Sequence, residues 1–173
     1  FEMTPFPPDP QAMYSQVNGV DSPLGGRLGF VPSLYHYKIG QGWGTWSHGY
    51  TGDIYYTGGA SQAVLTMPED TAAIYMYVEG NAFAMQPFEV ICDEVSSGLV
   101  QINGASGATY FGFYNPCGTL GSCTITNPGG GASGFAVGEF GINVNPNLVP
   151  EPTTVTLLGL GLAALGFRMR RNH

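Results

Sequence analysis

Residues 73–78 alternate without interruption, with Ile74, Met76 and Val78 in one phase and Tyr75 and Tyr77 in the other. Only a strand sends such residues to two opposite faces, because successive side chains of a strand point to opposite sides. The same signature returns at short spacing. Residues 34–39, 53–57, 62–67, 88–95, 99–103, 109–114, 120–126 and 135–144 all read as strands, bounded by Gly, Pro, Asp and Ser clusters. In 109–114, Phe111 and Phe113 oppose Tyr110, Gly112 and Tyr114, and Ser96, Ser97 and Gly98 read as a hairpin turn. The last strand changes phase: Phe135 and Val137 share one face, Phe140, Ile142 and Val144 the other, which requires a bulge or a move between sheets near Glu139.

With no helical period outside the C-terminal run, these strands predict an all-β fold, an antiparallel β-sandwich of jelly-roll-like form. No fixed-period repeat is present, which excludes a propeller or solenoid. The expected organisation is a Pro-rich irregular lead-in over 1–26, with Pro5, Pro7, Pro8 and Pro10, then a sandwich domain over 27–145. A stalk over 146–152 and a transmembrane helix over 153–173 follow. Of 173 residues 27 are Gly, 13% are aromatic and only 10% charged, which suits a turn-rich extracellular domain. Before Pro150 the only basic residues are Arg27 and Lys38, against eleven Asp and Glu, a net of −9. Nucleic acid is excluded as a partner, since binding it needs basic residues on phosphates.

The C-terminus carries a different kind of signal. Pro150 and Pro152 lack amide donors and force the residues before them, Glu151 included, out of the helical region, so any helix starts after them. Residues 153–167 hold no charge, with Thr153, Leu157, Leu158, Leu160, Leu162, Leu165 and Phe167 along the run. As a helix the run is about 22 Å long, short of the roughly 30 Å hydrocarbon core, so it spans only with local thinning or with Arg168 snorkelling. Arg168, Arg170 and Arg171 close the chain and are retained on the cytoplasmic side, which directs the body outward.

This order of Pro-Glu-Pro box, apolar helix and Arg-rich end resembles the PEP-CTERM sorting signal of envelope proteins in Gram-negative bacteria. The resemblance implies an exosortase as partner, export with anchoring in the inner membrane, and then removal of the helix near the box and delivery to the cell surface or outside. It also implies association with exopolysaccharide and biofilm. The body is similar to small proteins bearing the same tail through residues 46–53, 110–114 and 135–142, a likeness that implies no defined reaction. Since the chain begins at Phe1 with no basic and apolar leader, a signal peptide is expected upstream.

Cys117 and Cys123 flank a five-residue Gly-rich connection and are expected to pair, closing a small loop worth about 2 kcal/mol. Cys92 shares its phase with Phe88 and Val90 and is expected to be a buried free thiol.

No motif for nucleophilic, phosphate or metal chemistry occurs. His36, His48 and Asp53 could meet at a metal in principle, and Asp53, Glu69 or Asp70 at a Ca²⁺ ion, but no ligand spacing supports either, so no metal or cofactor is expected. Glu89, Asp93, Glu94 and Glu139 are read as solvated strand positions rather than a glycosidase pair, and the protein as not an enzyme. The sharper feature is residues 40–50, where Trp43, Trp46, His48 and Tyr50 sit among glycines. Two readings stay open. Either Trp46 and its neighbours plug the end of the sandwich, in a non-enzymatic surface or matrix protein, or exposed rings stack on sugars in a surface-anchored carbohydrate-binding module.

Overall fold

The alternating stretch is the strand β7 (Thr71–Gly80), flanked by β11 (Thr109–Tyr114) and β13 (Phe135–Val144). The computed structural model describes residues 2–129 and 133–144, and every named element among them is a strand. The others are β1 (Thr4–Pro5), β2 (Gln16–Asp21), β3 (Arg27–Ile39), β4 (Gly42–Trp43), β5 (Asp53–Tyr56) and β6 (Gln62–Thr66). β8 (Met85–Cys92), β9 (Val95–Ser96), β10 (Val100–Asn103) and β12 (Ser122–Thr126) complete the set. All pairings between strands are antiparallel except the two-residue contact of β3 with β4.

The main path runs β10-β8-β12-β6-β3-β5-β13-β7-β11, one continuous antiparallel sheet curled into a half-barrel. The curl is made within β3. Its residues Gly29, Phe30 and Val31 pair with β6, whereas Tyr35, His36 and Tyr37 pair with β5. Between them lies Pro32, which has no amide to give to a ladder. The two halves of the path thus face each other across one core, and Phe88 of β8 meets Phe135 of β13 edge to face with centroids 5.6 Å apart. Leu28, Leu34, Leu65, Met76, Val90 and Ile125 are buried with them. Jelly-roll sheets that are separately hydrogen-bonded are therefore not what forms: one long strand belongs to both layers, so the ladder never breaks.

Several expectations are corrected. The lead-in over 1–26 is not irregular throughout, since β1 pairs with β13 and β2 with β3. Alternation is hard to see in β2 because Gly19, at φ 152°, sits at a register shift beside Val20. The hairpin turn is not at 96–98. The chain reverses at Asp93 and Glu94, with Asp93 at φ 49°, so that β9 and β10 both pair with β8. The phase change in β13 is a bulge, as its pattern requires, with the register shifting between Gly138 and Gly141.

The cysteines pair differently from their spacing. Cys92 bonds Cys123, and Cys117 is free and exposed. The reason is register: β8 and β12 place Cys92 directly opposite Cys123, with Cα atoms 4.0 Å apart and both side chains in the core. Cys92 is buried as its phase predicts, but as a disulfide half rather than a thiol.

The Pro150, Glu151 and Pro152 box, the apolar run and the terminal arginines lie outside the described residues. Among the described residues no helix is long and apolar enough to cross a membrane.

Candidate functional site

β7 shows Ile74, Met76 and Val78 to the core and sends Tyr75, Tyr77 and Glu79 to the other face. On β11 the outward residues are Tyr110, Gly112 and Tyr114, of which the first two pair with Tyr77 and Tyr75; on β13, Gly141 also lies opposite Tyr75. The glycines decide how the rings lie. A Cβ at Gly141 would fall inside the Tyr75 ring, and one at Gly112 would meet the Tyr110 hydroxyl, so these tyrosines lie down along the sheet over positions without side chains. Tyr75 and Tyr110 are stacked at 5.8 Å and 29°, and Tyr77 stands edge-on to both at 6.4 and 5.4 Å. Tyr110 remains 55% exposed. The result is an aromatic face built into three rigid strands.

Glu139 is the centre of this face. It occupies the bulge of β13 at φ 51°, a left-handed conformation that a residue with a side chain adopts at a cost, and such strain gathers at functional positions. Its two carboxylate oxygens accept hydrogen bonds from Trp46 Nε1 at 2.9 Å and from His48 Nε2 at 2.6 Å. His48, itself at φ 41° and half exposed, packs on Tyr77 with ring centroids 4.9 Å apart. Burial and then the Glu139 charge hold the hydroxyls of Tyr75 and Tyr77 above the usual tyrosine range, so both stay protonated donors.

The Gly-rich loop over residues 40–52 is fastened across the same sheet by two carboxylates. Glu139 takes Trp46 and His48, and Glu79 accepts from the Thr45 hydroxyl, while Ser47 donates to the Ala108 carbonyl. Glu79 is 1% exposed, and burial raises its carboxyl to about 7 against the pull of bonds from Thr45 and Trp43. The folded protein therefore holds this proton more tightly than the unfolded chain, where Glu titrates near pH 4.3. Its contribution is complete below that pH and is lost as pH rises through about 7. The thermal midpoint should fall by roughly 5 °C between about pH 4.5 and about pH 7.5, a fall that Glu79→Gln removes. A flat profile in the native protein would refute this role.

The expected ring set is only partly assembled. Trp43 is 9% exposed, packed with Ile54, Ala136 and Tyr56, and offers no ring face to a ligand. Trp46 is half-buried by its bond to Glu139 and its contact with Tyr50, which in turn donates to the Asp53 carbonyl at 3.1 Å. Of the four, Trp46, His48 and Tyr50 border the tyrosine face. Tyr75, Tyr77 and Tyr110, which carry it, were legible in sequence only as the outward phase of two strands.

Beside this face lies a groove of about 310 Å³, walled by Pro5, Phe6, Pro7 and Pro8 on one side and by Tyr50, Tyr75 and Glu139 on the other. The arm that makes the first wall is hooked at Asp9 and Gln11. Asp53 Oδ2 accepts from the Asp9 amide at 2.9 Å, Tyr55 donates to Asp9 Oδ2 at 2.9 Å, and Gln11 Nε2 donates to the Gly19 carbonyl at 2.9 Å. Beneath them, fully buried His36 has both ring nitrogens facing acceptors: Nδ1 is 3.1 Å from the Gln11 carbonyl and Nε2 is 2.9 Å from Asp53 Oδ1. Both ring nitrogens are thus engaged, and Asp53 ties the buried imidazole and the Asp9 amide together through its two oxygens. His36 and Asp53 thus meet, but His48 stands with Glu139 elsewhere, and among the described residues no cluster able to hold a metal forms. Nor do the other carboxylates join Glu139: Glu89 accepts from Ser96, and Asp93 from the amides of Gly121 and Ser122.

Residues 148–171 match the family model of the PEP-CTERM protein-sorting motif. No curated protein sequence matches the chain. Among solved structures the chain is similar to the tandem CBM51 modules of Sp3GH98, the family 98 glycoside hydrolase from Streptococcus pneumoniae. The identity is 15%, 55% of this chain and 32% of that one are covered, and the TM-score is 0.38. It is also similar to the CBM36-1 domain of a multidomain xylanase from the hindgut metagenome of Trinervitermes trinervoides, with 13% identity, 63% and 90% covered and a TM-score of 0.35. A third is the CBM22-1-GH10 part of Clostridium thermocellum endo-1,4-beta-D-xylanase 10B complexed with xylohexaose, with 12% identity, 69% and 26% covered and a TM-score of 0.40. The chain spans about a third of the first of these and about a quarter of the third.

Proposed function

We propose, with the sorting motif at residues 148–171 as premise, that this is an exported protein handled by an exosortase and displayed at the cell surface, where its β body binds glycan. The C-terminal run would serve as the inner-membrane anchor until processing, and the body would join the exopolysaccharide of the envelope or biofilm. The observation that carries the binding part is the tyrosine face. Three rings lie on adjoining strands, two of them, Tyr75 and Tyr77, close enough to feel the Glu139 carboxylate, beside a groove and with the third, Tyr110, more than half exposed. Apolar sugar faces stack on aromatic faces while hydroxyls need fixed acceptors such as Glu139, and this arrangement supplies both. It is a binding reading and not a catalytic one.

Burial of Trp43 supports a second reading, in which loop and rings only brace the body of a matrix protein. One experiment separates them. The full chain is made in a host with an exosortase and in a host without, and its mass, location and retention on neutral, amine-bearing and uronate polysaccharides are compared. The expected product loses the C-terminal arginines only where the exosortase is present. The native chain is retained, and a Tyr75→Ala, Tyr110→Ala double variant weakens retention about tenfold or more. An unchanged mass in both hosts overturns the sorting part, and a folded native protein retained on none of the polysaccharides overturns the glycan part.

A further inference from the structure

Charge decides which polysaccharide can approach the tyrosine face. The body has only two Lys and Arg side chains and both are engaged, and the one histidine at the face, His48, is already bonded to Glu139. Arg27 bonds the Gly19 carbonyl and Asn18 and pairs with Asp21, while Lys38 stands 3.9 Å from Asp53. On the side of the groove the charged groups are Glu139 and Asp53, with Asp9 beyond them at the hooked arm. His48 donates to one oxygen of Glu139 and Trp46 to the other, and a carboxylate has about four acceptor sites, so Glu139 retains capacity on both oxygens. The aromatic faces beside it present their own negative π density. An anionic chain meets repulsion here, and a neutral chain gains stacking and hydroxyl bonds but no charge-assisted bond.

Building on the glycan reading above, we propose that the ligand is an amine-bearing glycan, an aminosugar polymer with free ammonium groups. Its sugar face lies along Tyr110, and its ammonium group lies between Glu139 and the rings of Tyr75 and Tyr77. An ammonium over an aromatic face and a charge-assisted bond to a carboxylate reinforce each other, and neither is open to an acetylated amine. The net acidity of the body also concentrates cationic chains around it before contact.

The test uses the full-length chain in detergent and three oligosaccharides of equal length: a β-1,4-linked glucosamine hexamer, its fully N-acetylated counterpart and a hexameric uronate. Titration calorimetry at a mildly acidic pH keeps the amines charged. The free-amine hexamer should bind about tenfold tighter than the acetylated one, an advantage that shrinks as salt rises, and the uronate should not bind. Glu139→Gln, which keeps an acceptor for Trp46 or His48, should bring the two aminosugars to within about twofold, while Tyr110→Ala at an exposed position should weaken both. Equal or tighter binding of the acetylated hexamer overturns the proposal and leaves the glycan reading standing. Preference for the amine that survives both Glu139→Gln and high salt overturns it as well. If Glu139→Gln does not fold, the salt dependence and acetylation preference of the native chain decide alone. Retention of the native protein on neutral polysaccharide alone sinks the ammonium proposal, whereas retention on none sinks the glycan reading beneath it.

Discussion

Replacing Cys92 and Cys123 together by alanine should cost about 4 kcal/mol of unfolding free energy, and replacing Cys117 by serine should change it by less than about 0.5 kcal/mol. The bond joins residues 31 apart, and in the chain-entropy model a loop of that length loses far more denatured-state freedom than the short loop expected between Cys117 and Cys123. It ties β8 to β12, in the layer opposite the tyrosine face, so its loss opens the core while leaving the face's own pairings intact. Denaturant unfolding of the three proteins measures the costs, and a thiol reagent should find one accessible group in the native protein. If Cys117→Ser proves the costly change, the bond is in the other place.

Asp53→Ala should be the other large loss, about 3–5 kcal/mol, because it leaves His36 buried beside no carboxylate. The same change frees the Asp9 amide, so the arm that walls the groove loses one of its hooks. Two readouts are expected to move together: the thermal midpoint, and proteolytic access to residues 5–11. An Asp53→Ala protein that melts within a degree or two of the native one would show that the bonds gathered by Asp53 stabilise little.

Sequence patterning went far with the strands. β11 and β7 can be read from alternation alone, and the bulge at Glu139 from the switch between Val137 and Phe140, because one face of each strand is buried and a slip would turn its apolar set outward. The N-terminal strands were hidden by prolines and by Gly19, which break the period without preventing pairing. The site was legible only as ingredients. The loop with Trp46, His48 and Tyr50 stands out by composition, but that Trp43 turns into the protein while Trp46 and His48 turn to Glu139 depends on a residue more than ninety positions away. Likewise, nothing local to Tyr75 announces that glycines at 112 and 141 leave room for its ring and that of its neighbour.

By itself the sequence determined the all-β class, the face each central strand buries, the acidic body and the sorting motif at residues 148–171. These follow from period, charge and contiguous pattern, which are properties of neighbours in the chain. Tertiary structure alone decided that Cys92 rather than Cys117 meets Cys123, that β3 serves both halves of the curled sheet, and that Glu139 gathers the loop and the tyrosines into one face. Each of these depends on inter-strand register, which is set by the fit of the whole core between distant segments and leaves no mark in any one of them.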